Sequence, residues 1–478
     1  MNTGMAHQPR SHCTVAVVGA GFSGAVTAIQ LLRQARGEVR VVLINESGRM
    51  ARGLAYGTRS QAHVLNVPAG NMSALVDDPA DFLRYCRWSD PQVQPESFVP
   101  RQLYGAYLEA LLSAAELKGS AGAELSRVVG RVVAITEAVP PAGADEQASR
   151  ALLQLEDGSV VCADAVVLAF GHFQPRDPLG QEMLAVAGPH YVRDPWRAGA
   201  LSAVGPDDDV LLVGAGLTAV DVALALRRNR HRGHMVSISR RGLAPQSHRR
   251  SGVVPSAVDG AALVAAMGPT LRSAFRLLRS ETRQRVARGE DWRDVMGALR
   301  AHTPALWQQL SPTDRGRFLR HLQPFWDVLR HRCAPSAHAE HAVLVQDGRL
   351  ESIAARLVRV QELASGIEVT LRPRGGNAPI IRRVQTVINC TGPSSDLAHS
   401  GSPLIAQLLA DGLISADKFG LGLRVDDQYR ALSPQGGAAS WLRYIGPLLK
   451  AQLWEATAVP ELRIHAQRLA TLLLAPHA

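Results

Sequence analysis

The chain has 478 residues, 46% of them hydrophobic and 20% charged, and 52 Lys and Arg against 42 Asp and Glu leave a formal charge of +10. That composition excludes a disordered chain, and at roughly 150 residues per domain the length implies about three folded units. The basic excess is arginine scattered along the chain, with lysine only at Lys118, Lys418 and Lys450, which argues against the clustered patch a nucleic-acid binder needs.

Residues 13–18 form a short apolar, β-branched run, followed by glycines, an Ala/Leu-rich helical stretch to about Gln34 and a second buried strand at 39–44. Such a β–Gly turn–α–β unit has the length of one parallel crossover. An irregular region, 45–78, is broken by Gly53, Gly57, Pro68 and Gly70, and an amphipathic helix follows over 100–117. Residues 128–135, 152–155 and 160–161 read as strands of a β-meander with a hairpin turn at Asp157-Gly158, and 140–149 as an exposed loop. After a buried strand at 165–170, a second β–Gly turn–α–β unit opens at 209–213, with a helix over 218–230 and a strand over 235–239.

From about Val258 to Arg332 the pattern is helical, with Trp292, Leu299, Leu306, Trp307, Phe318, Leu319 and Trp326 at core-like spacings. Strands are expected again at 342–345, 357–360, 368–372 and 384–389, and a closing helix at 459–474. The five cysteines, Cys13, Cys86, Cys162, Cys333 and Cys390, include no close pair, which argues against a disulfide framework, a zinc ribbon or a redox dithiol. Residues 1–12 lack the apolar stretch of a secretory signal, and no uninterrupted apolar run is long enough to span a membrane, so a cytoplasmic protein is expected.

Two motifs carry chemistry. Gly19-Ala-Gly21-Phe22-Ser23-Gly24 is a Gly-x-Gly-x-x-Gly between strand and helix. Its first glycine serves the tight turn, its second lets a pyrophosphate approach the backbone, and its third packs helix on strand. Glu46, at the end of the next strand, is placed to accept from ribose hydroxyls. Gly214-Ala-Gly216-Leu-Thr218-Ala219 repeats the pattern with alanine third, but its second strand ends in Arg240-Arg241. Guanidinium groups there suit a 2′-phosphate and favour NADPH over NADH. The alternative is that both are solvated arginines. Two such units in one chain point to a flavoprotein that takes hydride from a nicotinamide, with FAD on the first unit and NAD(P)H on the second.

With these motifs go His63-Val-Leu-Asn66-Val-Pro68-Ala-Gly70-Asn71, Asn389-Cys-Thr391-Gly392-Pro and Trp454-Glu-Ala-Thr457. On these residues the chain resembles two-dinucleotide-binding-domain flavoproteins of the FAD/NAD(P)-binding family, close to N-hydroxylating and class B-like monooxygenases. The class B fingerprint Phe-x-Gly-x-x-x-His-x-x-x-Trp is absent. The resemblance implies an α/β fold of two Rossmann-like dinucleotide-binding domains, FAD and NAD(P), with an inserted helical subdomain. The expected parts are 12–180 and 386–478 for FAD, 190–255 and 336–385 for NAD(P), and 256–335 for the helical insert, a candidate substrate lid.

It further implies FAD contacts from Gly19, Gly21, Phe22, Ser23, Gly24, Glu46, Val133, Thr391, Gly392 and Thr457. NAD(P) contacts are implied for Gly214, Gly216, Thr218, Arg240 and Arg241. His63, Asn66 and Asn71 are candidates to line the flavin ring, or else turn-capping residues of a long loop. Arg320, His321, Arg330, His331 and Arg332 either meet an anionic substrate or lie on a solvated helix face.

The implied activity is FAD-dependent, NAD(P)H-consuming hydroxylation of a small polar nitrogen-containing metabolite, an amine, amino acid or purine such as urate, through a flavin–oxygen adduct. The alternatives are an NAD(P)H-dependent flavin reductase serving another acceptor and a non-catalytic FAD-binding interaction or sensor protein. The partners expected are a small-molecule substrate and molecular oxygen, with no nucleic acid, membrane or metal.

Overall fold

The computed structural model describes residues 13–58, 60, 63–120, 122–138, 150–250, 252–376 and 378–475; the expected loop at 140–149 and the segment 1–12 lie outside them. Two compact units divide the chain. One takes residues up to 58, Pro68–His172 and Ser395 onward, and the other takes 60–67 and Phe173–Ser394.

In chain order the first unit holds strands β1 (Cys13–Val18), β2 (Val39–Asn45), β3 (Ala123–Val129), β4 (Val132–Glu137), β5 (Ala151–Leu155), β6 (Val160–Ala163) and β7 (Ala165–Leu168). The second holds β8 (Tyr191–Val192), β9 (Val210–Val213), β10 (Met235–Ser239), β11 (Leu350–Leu363), β12 (Gly366–Pro373), β13 (Ile380–Val384) and β14 (Thr386–Asn389), and the chain returns to the first for β15 (Arg430–Leu432) and β16 (Ala438–Tyr444).

The first sheet has the order β15-β16-β7-β1-β2-β3, parallel from β16 to β3 with β15 antiparallel at its edge. Its central strands are apolar almost without interruption, as parallel strands covered on both faces must be: Val15, Ala16, Val17, Val41, Leu43, Val166 and Leu168 are fully buried. Helix Phe22–Gln34 follows β1 and packs against helices Arg101–Leu117 and Val459–Leu474. The second sheet, β13-β12-β11-β10-β9-β14-β8, repeats the plan, with helix Leu217–Arg228 after β9 and crossover helix Pro335–Gln346 packed on it. Leu211, Val213, Val236, Ile238 and Val387 form its core.

The correspondence between units explains one difference from the sequence reading. In the second unit β11 is continuous, pairing with β10 in its first part and with β12 in its second. In the first unit the equivalent strand is cut at Gly130-Arg131: β3 closes the parallel sheet and β4 starts a separate β4-β5-β6 sheet. A Cβ on Gly130 would lie 2.6 Å from Leu155 Cδ2, so the chain turns there through a residue without one. The expected single strand over 128–135 is therefore two strands of different sheets.

The strand expected at 342–345 is instead the end of helix Pro335–Gln346. Its Ala-rich sequence, with proline in the first turn, favours the helix over the β-branched Val343 and Val345.

Domain limits shift as well. Thr386–Asn389, expected to open the return to the first unit, pairs with Val210–Val213, and the second unit runs to Ser394. Between β10 and Pro335, helices gather around Leu263, Val295 and Leu299, with Leu277, Leu278 and Leu306 packed against them. None of the described helices is long and apolar enough to cross a membrane, and all five cysteines are free.

Candidate functional site

An open parallel sheet binds ligands at the carboxyl ends of its strands, where the strand order reverses. In the first sheet that point lies between β1 and β7. Gly19, just past β1, has φ +104°, and a Cβ on it would sit 2.9 Å from Ala169 O, just past β7. A Cβ on Gly24 would sit 1.9 Å from Gly19 O. Both positions require glycine for the fold itself.

Gly21 differs. Its φ of −74° suits any residue, and a Cβ there would meet only Gly53 Cα, at 3.7 Å. The missing side chain thus keeps clear a space that the protein does not fill, the cradle a pyrophosphate needs. Helix Phe22–Gln34 starts at this space with no side-chain cap and no acid in its first turn, leaving the N–H groups of Phe22 and Ser23 and the positive dipole end for an anion.

The turn is braced by residues the motif does not contain. Ala20 N donates to Asn45 Oδ1 at 3.4 Å, and Ala20 O accepts from Ala51 N at 2.8 Å. Ala51 (φ +70°) and Gly53 (φ +54°) are left-handed, which brings the chain back against Gly21. Gly53, read from sequence as a loop breaker, here buttresses the phosphate turn.

Glu46 follows β2 directly, is 67% exposed and pairs with Arg131 Nε at 3.4 Å. The β4–β5 ladder pairs Val132 with Leu155 and Ala134 with Gln154, so Val133 is a bulged residue on an outer strand, whose peptide groups stand out of the ladder. Two residues on, Gln407 holds both Ile135 N and Ile135 O at 3.0 Å. Thr457 precedes helix Val459–Leu474, whose cap residue Ala458 provides no side-chain acceptor. This helix runs beside Phe22–Gln34, with Thr471 Oγ1 donating to Gln34 Oε1 at 2.7 Å and Gln34 Nε2 to Gln467 O at 3.4 Å.

The second sheet reverses order between β9 and β14. Gly214 has φ +121°, and its Cβ would lie 2.2 Å from Cys390 O. A Cβ on Gly216 would meet nothing within 4 Å. Helix Leu217–Arg228 begins at Gly216 with no side-chain cap and no acid in its first turn, and Thr218 is its second residue. The second cradle therefore repeats the first, with more open space.

The structure separates the two arginines beyond β10. Arg240 is exposed, whereas Arg241 Nη2 donates to Arg320 O at 3.0 Å and its guanidinium lies 5.1 Å from the Phe325 ring centre. Arg240 is thus the one available to a 2′-phosphate.

Other expected residues part company. Thr391 and Gly392, assigned from sequence to FAD, follow β14 in the second unit: Asn389 Oδ1 accepts from Thr391 N at 3.1 Å and from Thr391 Oγ1 at 2.7 Å. Their neighbour is Gly214, because β14 hydrogen-bonds to β9. In the first unit the matching place, after β7, belongs to Phe170 and Gly171, because Gly19 approaches Ala169 O as Gly214 approaches Cys390 O; there Tyr444 Oη donates to Phe170 O at 3.1 Å. His63 packs edge-on to Trp196 at 5.1 Å and Asn66 O accepts from His248 Nε2 at 2.9 Å, both within the second unit. Asn71 is exposed at the end of a short 3₁₀ turn of the first. The three candidates do not form one constellation within a unit.

Residues 16–173 match the family model described as FAD-NAD(P)-binding. No curated protein matches the sequence. Among solved structures, the chain is similar to ornithine hydroxylase from Pseudomonas aeruginosa, at 15% identity and TM-score 0.62 over 97% of this chain and 99% of that one. L-lysine 6-monooxygenase from Pseudomonas syringae gives 16% identity and TM-score 0.62 over 96% and 98% of the two chains. An ornithine N-hydroxylase from Kutzneria sp. 744, solved with reduced FAD, NADP+ and L-ornithine, gives 14% identity and TM-score 0.61 over 96% and 98%. At these identities the likeness shows the fold alone, a Rossmann-like α/β architecture, while the FAD-NAD(P)-binding family model covers residues 16–173.

Proposed function

We propose that the chain is an FAD-dependent NAD(P)H monooxygenase that hydroxylates a small polar nitrogen compound, an amine or amino acid in preference to a purine. The observation that carries this reading is the pair of glycine cradles built on one plan, each at the switch point of its own sheet and each at an uncapped helix N-terminus. The amine preference draws on fold neighbours named for ornithine and lysine.

In the first unit, Gly21 admits the FAD pyrophosphate to the N–H groups of Phe22 and Ser23. Glu46 accepts from the ribose hydroxyls, and the exposed peptide of Val133 meets the adenine edge. Thr457 extends the same phosphate-facing end. In the second unit, Gly216 and the first turn of helix Leu217–Arg228 hold the nicotinamide dinucleotide, with the Thr218 hydroxyl at the phosphates and Arg240 at the 2′-phosphate. Hydride acceptance and oxygen activation are what FAD supplies when bound, so the protein's part is to bind, orient and exclude water.

The test is the stoichiometry of oxygen and NADPH consumption with ornithine, lysine and urate, together with assay of N-hydroxylated product. Equal consumption of both, matched by hydroxylated amine, is expected. Electrons from NADPH that appear as hydrogen peroxide with every substrate, or that reach only an added quinone, would overturn the monooxygenase reading in favour of a flavin reductase.

A further inference from the structure

The region between β10 and helix Pro335–Gln346 contains a cavity of about 400 Å³ whose walls include His248, Arg249, Arg293 and Arg332. A short parallel pairing helps to build it: Cys333 N donates to Gln246 O and His248 N to Cys333 O, both at 3.0 Å, which aligns Ser247 with Cys333 and brings the segments carrying Arg249 and Arg332 together. Helix Trp292–Leu299 brings Arg293 and Asp294 to the same place.

Three guanidinium groups face two carboxylates there, and the two are already engaged. Asp291 receives Arg249 Nε at 3.1 Å and Arg293 Nη1 at 3.1 Å. Asp294 receives Arg249 Nη2 and, through its other oxygen, Ser256 N at 3.0 Å. Arg293 Nε donates to Ser247 O at 2.9 Å. Arg332 is left over. Its Nε is buried without a hydrogen-bond partner, it makes no ion pair among the described residues, and its closest aromatic contact is the Trp292 ring at 5.9 Å.

Burial, and then Arg330, Arg293 and Arg249 around it, lower Arg332 to about 10, with Asp291 offsetting them only in part, so it stays cationic at neutral pH. His248 does not help to balance or add charge. Burial and Arg332 push it down to about 4, and it is a neutral donor to Asn66 O. A partly buried cation that makes no ion pair is costly, and a bound anion would offset that cost.

The rest of the lining, Pro255, Ser256, Val258, Gly297 and Ala298, offers no charge. A volume of about 400 Å³ falls within the size of small-molecule sites and far exceeds what a lone phosphate fills. We propose that this cavity binds a small organic anion, its carboxylate or phosphate group held by Arg332 and Arg293 and its carbon skeleton lying along Val258 and Ala298. The site is distinct from the nucleotide cradle, since neither Gly214–Thr218 nor Arg240 lines it. It stands independently of the hydroxylase reading.

Calorimetric titration of the purified protein with inorganic phosphate and, separately, succinate tests this, each with and without saturating NADP+. Binding of at least one anion in the presence of NADP+ is expected, and which one binds identifies the phosphate or the carboxylate class. Arg332→Met should weaken that binding roughly tenfold or more, the loss of a charge-assisted contact, with partial rescue in Arg332→Lys. Without anion, Arg332→Met should unfold at or above the wild-type temperature, whereas a merely structural arginine would lower it. No heat with either anion, unchanged binding by Arg332→Met, or binding abolished by NADP+ would each overturn the proposal, the last by giving the cavity to the dinucleotide.

Discussion

Replacing Gly216 by alanine separates ligand binding from folding at the second cradle. Gly216 has φ −83° and ψ −167°, a conformation open to any residue, and its Cβ would have nothing within 4 Å. The folding cost is then that of a poorer N-cap, about 1 kcal/mol or less. Gly214→Ala is the contrasting case, because its Cβ would sit 2.2 Å from Cys390 O at φ +121°. The end of β14 would have to move, at a cost of roughly 3 kcal/mol or more.

A pyrophosphate at Gly216 would meet the new methyl group and be displaced from the N–H groups of Leu217 and Thr218. Losing one such charge-assisted hydrogen bond, at about 1.5–3 kcal/mol, weakens NADP+ binding about tenfold to a hundredfold. Fluorescence titration with NADP+, beside thermal unfolding of both variants, measures the two effects separately. A Gly216→Ala protein that binds NADP+ within about twofold of wild type would refute the cradle. So would one that unfolds as readily as Gly214→Ala.

Arg240→Ala should raise the KM for NADPH well above that for NADH, while Arg241→Ala, which loses its bond to Arg320 O and its contact with Phe325, should affect both alike; steady-state kinetics with the two nucleotides decides. Acid should destabilise both units. Burial holds His248 and His465 down at about 4, below the ordinary value near 6.5. Their contribution is therefore full above about pH 6.5 and is lost as pH falls toward 4. By about pH 5 each accounts for on the order of 1–2 kcal/mol. Urea midpoints at neutral and acid pH should show His465→Phe with a smaller acid loss than wild type, and an equal loss would contradict the role given to burial.

Both glycine turns were legible because each demands residues that only glycine satisfies: left-handed φ at Gly19 and Gly214, and a backbone approach at Gly24 that excludes a Cβ. Strands β1, β2, β9 and β10 were legible as apolar runs on either side of those turns. What escaped was decided by pairing between distant segments. The run at 386–389 is apolar enough for either sheet, and only its hydrogen bonds to Val210–Val213 assign it. With it go Thr391 and Gly392. The apolar run Ala-Val-Leu-Val over 342–345 carries no periodicity that separates strand from helix, so only the start at Pro335 shows it as the end of a helix. Arg330 and Arg332 were visible as a cluster. Their sequence neighbours could not reveal that Asp291 and Asp294 are already engaged by Arg249 and Arg293, leaving Arg332 without an ion pair among the described residues.

Anaerobic titration of the purified protein with NADPH tests most directly whether one chain holds both dinucleotides. The two cradles predict a yellow protein containing FAD, whose visible absorption is bleached by NADPH and far less readily by NADH. A protein that takes up no FAD, or one whose bound flavin stays oxidised in the presence of NADPH, would contradict it.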